Sequence, residues 1–353
     1  MTRLSASAVE STDMPQHDQR LQDLSAWLKP QLRELFERKG WGSVPEAALV
    51  PASSDASFRR YFRWEAQGRS FILMDAPPPQ ENCQPFVAVA QLLAGASVNV
   101  PAILVQDLER GFLLLSDLGR QTYLDVIDET TADGLFSDAI QALLAFQTQP
   151  LETPLPSYDE ALLRRELQLF PEWYVQRHLG HRFSAAELEV WERTCRLLID
   201  SALKQPRVLV HRDYMPRNLM ISEPNPGVLD FQDAVIGPVT YDITSLFKDA
   251  FLSWPEERVQ GWLQGYWEAA RAAGVPVQDS FDEFQHASDL MGLQRHLKVI
   301  GIFARICYRD GKPRYLADVP RFFAYIETVT ARRPELAELS ALLQGLPSAP
   351  VQP

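Results

Sequence analysis

Cysteine, an excess of basic residues and long apolar runs are what this 353-residue chain has least of. Its three cysteines, Cys83, Cys195 and Cys307, are odd in number and far apart. They fit neither a disulfide framework nor a metal-ligand spacing, and they suit a reducing, cytoplasmic setting as buried or spectator thiols. No apolar stretch approaches the ~18 residues that a bilayer-spanning helix requires. Residues 1–18 lack the basic-then-apolar order of a secretory signal and read as a disordered tail. A formal net charge of −12 argues against nucleic acid or an anionic membrane surface as a partner. The 46% hydrophobic and 23% charged content is ordinary for a globular protein and sufficient for two lobes.

Against that plain background one segment stands out. His211-Arg212-Asp213-Tyr214-Met215-Pro216-Arg217-Asn218 reads H-x-D-x-x-x-x-N, and Asp230-Phe231-Gln232 follows it. Phosphoryl transfer from a nucleotide needs a carboxylate to accept the acceptor hydroxyl's proton and two groups to hold Mg²⁺ on the triphosphate. Asp213 suits the first task, Asn218 and Asp230 the second. Magnesium takes few protein ligands and prefers hard oxygen donors, so one Asp and one Asn are enough. His211 is assigned a structural role, bonding loop backbone, because the proton-accepting role in such loops belongs to the Asp.

The flanking sequence supports convergence. Val208-Leu209-Val210, Leu219-Met220-Ile221 and Gly227-Val228-Leu229 are short apolar runs, and Ser222-Glu223-Pro224-Asn225-Pro226 is turn chemistry. Leu219 to Leu229 therefore predicts a hairpin, whose far ends bring Asn218 beside Asp230.

Upstream, Asp18–Lys39 carries a helical stripe of Leu21, Leu24, Trp27, Leu28, Leu32 and Leu35. Strands are expected at Ala47–Val50, Phe58–Trp64, Ser70–Met74, Val100–Val105 and Gly111–Leu115, with a helix over Pro85–Leu93. Five strands and one inserted helix make the small lobe of a kinase-like fold, over 19–118. The turn at Asp117-Leu118-Gly119 is where such folds change lobe, and the backbone at Ser116 and Leu118 is the candidate contact for the adenine edge. Over 119–353 helices dominate: Thr122–Thr148, Glu160–His178, Ser184–Lys204, Tyr241–Ala250, Glu256–Ala273 and Phe281–Arg309. The fold class expected is α+β: a bilobal, protein-kinase-like arrangement with a small antiparallel-sheet lobe and a larger, mainly helical one.

Two further absences bear on the nucleotide. The loop Pro51-Ala52-Ser53-Ser54-Asp55-Ala56-Ser57 holds no glycine, although its small residues admit backbone amides to phosphate and Ser57 adds a hydroxyl donor. The third strand has no lysine, and Met74 stands in its place. Arg60 is the candidate phosphate-side cation, since strand alternation sets it with Phe58, Phe62 and Trp64; three solvated arginines on an exposed strand is the competing reading.

His211 to Asn218, Asp230 and Gly237-Pro238-Val239-Thr240-Tyr241-Asp242 together resemble the aminoglycoside phosphotransferase/choline kinase superfamily. Three longer segments, Ser53–Arg63, Leu73–Pro78 and Gln294–Arg305, resemble its branch of bacterial anomeric kinases of N-acetylmuramate and N-acetylglucosamine. The resemblance implies ATP as co-substrate with Mg²⁺, an amino sugar phosphorylated at its C1 hydroxyl, and a place in cell-wall recycling. By position it implies Asp213 as base, Asn218 and Asp230 as metal ligands, and Asp242 as a carboxylate steadying the catalytic loop. A lactyl carboxylate calls for a guanidinium; Arg305 and Arg309 are candidates by type, and Asp233 and Asp249 can reach sugar hydroxyls or sit on the solvated surface. Two other readings stay open: a different acceptor on the same scaffold (aminoglycoside, choline, homoserine or methylthioribose), and a non-catalytic pseudokinase.

Overall fold

The computed structural model describes residues 14–53 and 58–348. Ser54, Asp55, Ala56 and Ser57 of the expected phosphate loop lie outside the described residues. The described residues divide into two compact units, the first made of those up to 90 with 101–117, the second of 91–100 with 118–348.

In the first unit α1, Met14–Lys39, begins within the expected tail. Its buried residues Leu24, Trp27, Leu28, Leu32, Leu35 and Phe36 recur at helical spacing and form one core with Phe62, Trp64, Phe71, Leu73, Phe112 and Leu114 of a sheet. Gly40, at φ 67°, ends the helix, and the Trp41 N–H closes back on the Phe36 carbonyl at 2.9 Å. The sheet comprises β1 Val50–Ser53, β2 Arg60–Ala66, β3 Arg69–Asp75, β4 Ile103–Asp107 and β5 Phe112–Ser116. It is antiparallel throughout, in the order β1-β2-β3-β5-β4. Each expected strand is present, displaced along the chain by one to three residues where turn chemistry and strand sequence overlap, and the helix expected over Pro85–Leu93 is α2, Gln84–Gly95, between β3 and β4.

Alternation along β2 directs Phe62 and Trp64 into the α1 core and carries Arg60 to the same side. There Arg60 pairs with the fully buried Asp75, which also takes Arg20 of α1 at 2.6 Å. Arg60, expected as a phosphate-side cation, thus pairs across β2 and β3, while Arg20 ties the same carboxylate to α1. Arg63, on the opposite face of β2 from Phe62 and Trp64, is gripped by Asp117 at 2.5 and 3.0 Å. Met74, in the place where a lysine was sought, is fully buried between Tyr61 and Leu113 in register.

The second unit is mainly helical. The strip 91–100, expected within the small lobe, belongs here because the Val228 N–H donates to the Asn99 carbonyl at 2.7 Å. One expected helix is two, α3 Tyr123–Val126 and α4 Ala132–Gln147. The Asp128 carboxylate breaks it by accepting from the backbone N–H groups of Thr130 and Thr131, offering the chain a local alternative to helix. Another expected helix divides into α5 Glu160–Leu167 and a π-helix Phe170–His178, at Pro171, which has no N–H to continue the ladder. Then follow α6 Ala185–Lys204, α7 Thr240–Phe247, α8 Glu256–Ala272 and the long α9 Phe281–Asp310. Two helices beyond the sequence-based assignment, α10 Val319–Arg332 and α11 Ala337–Gln344, complete the unit. Among its strands, β6 Arg207–Val210 pairs with an unforeseen strand, Val235–Pro238, while Leu219–Met220 and Gly227–Val228 form the expected hairpin.

Replacing Arg60 by alanine leaves Asp75 with one of its two guanidinium partners. The expected cost is about 1–3 kcal/mol, read as a lower melting temperature or urea midpoint; a variant as stable as the wild type would refute the structural role.

Candidate active site

The catalytic segment follows β6 directly. Its backbone is held from α7: both oxygens of the fully buried Asp242 accept backbone N–H groups, from His211 at 2.6 Å and from Arg212 at 2.9 Å. Burial pushes this carboxyl up to about 7, against those two bonds and the charge of Arg295. Arg212 adopts φ 78°, a left-handed conformation that a non-glycine residue holds only when its surroundings compel it. The Asp242 clamp supplies part of that compulsion.

His211 is buried, and its two nitrogens have distinct tasks. Nε2 meets the Leu229 carbonyl at 3.0 Å, which fixes the proton there, and Nδ1 accepts the Asp213 N–H at 3.2 Å. Burial lowers its pKa to about 4, so the ring is neutral at physiological pH. His211 thus ties its loop to the end of the hairpin through backbone on both sides.

The hairpin delivers the proposed metal ligands to Asp213. The Leu229 N–H donates to the Asn218 carbonyl at 2.9 Å, joining the hairpin's far ends. The Asn218 amide nitrogen lies 2.9 Å from the Asp213 carbonyl and 3.4 Å from Asp230 Oδ2. That orientation turns the Asn218 Oδ1, a hard oxygen donor, to the other side of the amide. Asp230 is itself in the left-handed region, at φ 62°, and its Oδ1 accepts from Gln232 at 2.7 Å. Gln232 thus orients a carboxylate where a protein kinase has glycine. Among the described residues no three His, Cys, Asp or Glu side chains converge; one Asp and one Asn are the sparse set that Mg²⁺ takes when phosphate completes its shell.

A network that the motifs did not announce lies behind the loop. Glu166 of α5 receives Arg212 at 2.5 Å, Lys298 of α9 at 3.0 Å, Gln294 at 3.1 Å and the Tyr158 hydroxyl. Burial alone would raise the Glu166 carboxyl, yet Lys298 and Arg212 outweigh it and hold its pKa at about 2. Lys298 also donates to the Tyr241 hydroxyl at 3.1 Å. Both cations sense the Asp213 charge, so positive potential is fixed beside the proposed base. Gln294 and Lys298 sit in a segment already singled out, but nothing local in sequence joins them to Glu166.

Ser116 donates its N–H to the Ala102 carbonyl at 2.9 Å and accepts the Ala102 N–H on Oγ at 2.8 Å, which fixes the backbone at the end of β5 and leaves the adenine edge to the Ser116 carbonyl and the Leu118 backbone as candidates. Leu118 packs on the hairpin, where a Cβ at Gly227 would come within 2.8 Å of its Cδ1. Arg309, exposed, is paired with its neighbour Asp310 at 2.6 Å. Arg305 is half-buried with an Nε that has no partner. Asp233 is exposed as the surface reading held, whereas Asp249 is buried.

Residues 48–284 match the pattern of the phosphotransferase enzyme family. The chain is 69% identical over 333 residues to a Pseudomonas putida protein named N-acetylmuramate/N-acetylglucosamine kinase, covering 94% of this chain and 98% of that one. A Neisseria meningitidis serogroup B protein of the same name is 46% identical over 303 residues, covering 84% and 90%. Among solved structures, the choline kinase LicA from Streptococcus pneumoniae superposes with a TM-score of 0.60 at 12% identity, over 86% of this chain and 99% of that one. An ADP-bound aminoglycoside phosphotransferase, APH(2'')-Ib, does so at 0.56 and 16% identity, over 84% and 97%. The fold is kinase-like, and the chain belongs to the phosphotransferase enzyme family, transferring phosphoryl groups to a hydroxyl acceptor.

Proposed function

We propose that this protein is an ATP-dependent kinase of N-acetylmuramate and N-acetylglucosamine, acting on the anomeric C1 hydroxyl to give the α-1-phosphate, in the cytoplasm, for peptidoglycan recycling. The observation that carries the acceptor is the 69% identity, across nearly all of both chains, to a relative named for those two sugars. The site supports the chemistry by joining Asp213, Asn218 and Asp230 through the Asn218 amide.

In this reading the C1 oxygen forms a bond to the γ-phosphorus, the bond from that phosphorus to the β–γ bridging oxygen breaks, and ADP leaves. The hydroxyl proton passes to Asp213. An anomeric hydroxyl is more acidic than an ordinary alcohol, and little proton transfer precedes attack in a loose transition state. Asp213 therefore acts chiefly by orienting the hydroxyl in line. Asn218 and Asp230 would hold Mg²⁺, which when bound neutralises charge on the triphosphate. Lys298 and Arg212 keep positive potential behind Asp213, and Asp242 and His211 hold its backbone.

Arg305 is assigned to the lactyl carboxylate that distinguishes N-acetylmuramate. It follows Lys298 by two helical turns on one face of α9, roughly 10 Å along the axis, the reach of a substituted sugar ring. Its unpartnered Nε is the donor.

An ADP-release assay across amino sugars, aminoglycosides and choline tests the acceptor, with phosphorus NMR of the product testing the position. Asp213→Asn is expected to lower kcat by roughly two to four orders of magnitude while nucleotide affinity stays near wild type. Loss of ATP binding in that variant contradicts the role. Arg305→Ala is expected to raise KM for N-acetylmuramate about tenfold and to leave that for N-acetylglucosamine unchanged; equal effects on both sugars remove the lactyl assignment.

A further inference from the structure

We propose that Asn99 is a positioning residue for the metal site, setting the register of the hairpin whose ends carry Asn218 and Asp230; the inference rests on the reading of those two residues as Mg²⁺ ligands.

The hairpin is too short to set its own geometry. Its strands, Leu219–Met220 and Gly227–Val228, are two residues long each, and so small a pair is at best marginally stable on its own. Between them, residues 221–226 include Pro224 and Pro226, which have no N–H to give to a ladder. A slip of one residue turns the side chains of a strand to its other face and would carry Asp230 away from Asn218. The relative placing of the two ligands is therefore imposed from outside the hairpin.

Asn99, in the strip that precedes β4, imposes it with backbone and side chain together. Its carbonyl accepts the Val228 N–H at 2.7 Å, and its backbone bridges to Gly227 in parallel. Its side-chain amide has two hydrogens to give. It donates to the Pro224 carbonyl at 2.6 Å and to the Ser222 hydroxyl at 3.0 Å. Ser222 in turn donates to the same Pro224 carbonyl, at 3.0 Å. One residue from a distant part of the chain thus grips the turn and the second strand at once. Gly227 permits the fit, since a Cβ there would lie 2.8 Å from Ser222 Oγ. With Val228 held, the next N–H, that of Leu229, meets the Asn218 carbonyl at 2.9 Å, and Asp230 follows directly.

The opposite edge of the hairpin is anchored separately. The Ile221 N–H donates to the Gln121 carbonyl at 2.8 Å, and the Asn225 amide donates to the Tyr123 hydroxyl at 2.8 Å and to Asp138 at 2.6 Å. These bonds tie the hairpin to α3 and α4, so the unit keeps its fold when the Asn99 side chain is cut back. What the Asn99 amide adds is the placing of one strand against the other. Mg²⁺ demands near-ideal octahedral geometry, with oxygens roughly 2.0–2.1 Å away. A ligand pair that drifts by a few tenths of an ångström therefore holds it less well.

Asn99→Ala and Ser222→Ala in the full chain test this. In metal-free Asn99→Ala, hydrogen exchange at the Leu229 amide is expected to be roughly tenfold faster. Binding of Mn²⁺·ATP, followed by electron paramagnetic resonance, should weaken by roughly the same factor, and the Mg²⁺ concentration for half-maximal activity should rise with it. ATP affinity in EDTA and the sugar KM stay at their wild-type values. Ser222→Ala keeps the bond from Asn99 to Pro224 and is expected to show the same pattern at about threefold. Either Leu229 exchange or metal binding unchanged in Asn99→Ala, whatever its melting temperature, overturns the proposal. An equal loss of ATP affinity in EDTA overturns it as well, because the effect is then a general loosening. Failure of both variants to fold does so too, since the opposite edge would not be holding the hairpin. A wild type that binds no Mn²⁺·ATP removes the metal-ligand reading, and this inference with it.

Discussion

The geometry of the second unit depends on one carboxylate. Asp242 accepts the N–H groups of two consecutive residues, His211 and Arg212, from within the first turn of α7. Two donors on one rigid acceptor fix the backbone direction at the residue before Asp213, including the left-handed turn at Arg212. Once that turn is set, the Asp213 N–H reaches His211 and the Asp213 carbonyl reaches Asn218. The His211 ring then ties the same loop to Leu229, next to Asp230. Asp213 and Asn218 are therefore positioned by bonds to backbone, while the Asp230 carboxylate is oriented by the Gln232 and Asn218 side chains.

That division of labour explains which parts of the site were legible in the sequence. Asp213, Asn218 and Asp230 could be placed together because the hairpin is local: two short apolar runs around a Pro-rich turn settle which ends meet. His211 could be given its structural role from residue type and spacing. Glu166 could not be found, since it lies in an unremarkable helical stretch and its partners Arg212 and Lys298 are distant along the chain. The same limit applies to Asp249, whose sequence neighbourhood admits a surface residue as readily as a buried one.

In the fold, strand and helix identities followed from periodicity, while breaks and register did not. The helix expected over Thr122–Thr148 is interrupted by the side-chain bonds of Asp128, which an apolar stripe cannot reveal. The strand Val235–Pro238 escaped notice because it is fully buried and pairs with β6, so it shows no alternation. Arg60 illustrates a subtler limit. Alternation correctly placed it with Phe62 and Trp64, but the face they share is the one that α1 covers, and the sequence of a strand does not say which of its faces receives a helix.

The long helix α9 carries the argument furthest. It is buried over most of its length and still bears Asp289, Gln294, Arg295 and Lys298. A helix with charges in its buried stretch is unfavourable unless each charge meets a partner from another element. Asp289 finds α10 and its end through Arg332 and Arg333, and Lys298 finds α5 through Glu166 and α7 through Tyr241. These pairings are directional, so they fix the angular position of α9 more tightly than apolar packing alone would. Gly301 reinforces this by close approach: a Cβ there would lie 2.4 Å from the Leu169 backbone, so α9 and the chain entering the π-helix sit at minimal separation. A helix held by satisfied charges on either side of Arg295 cannot rotate about its axis.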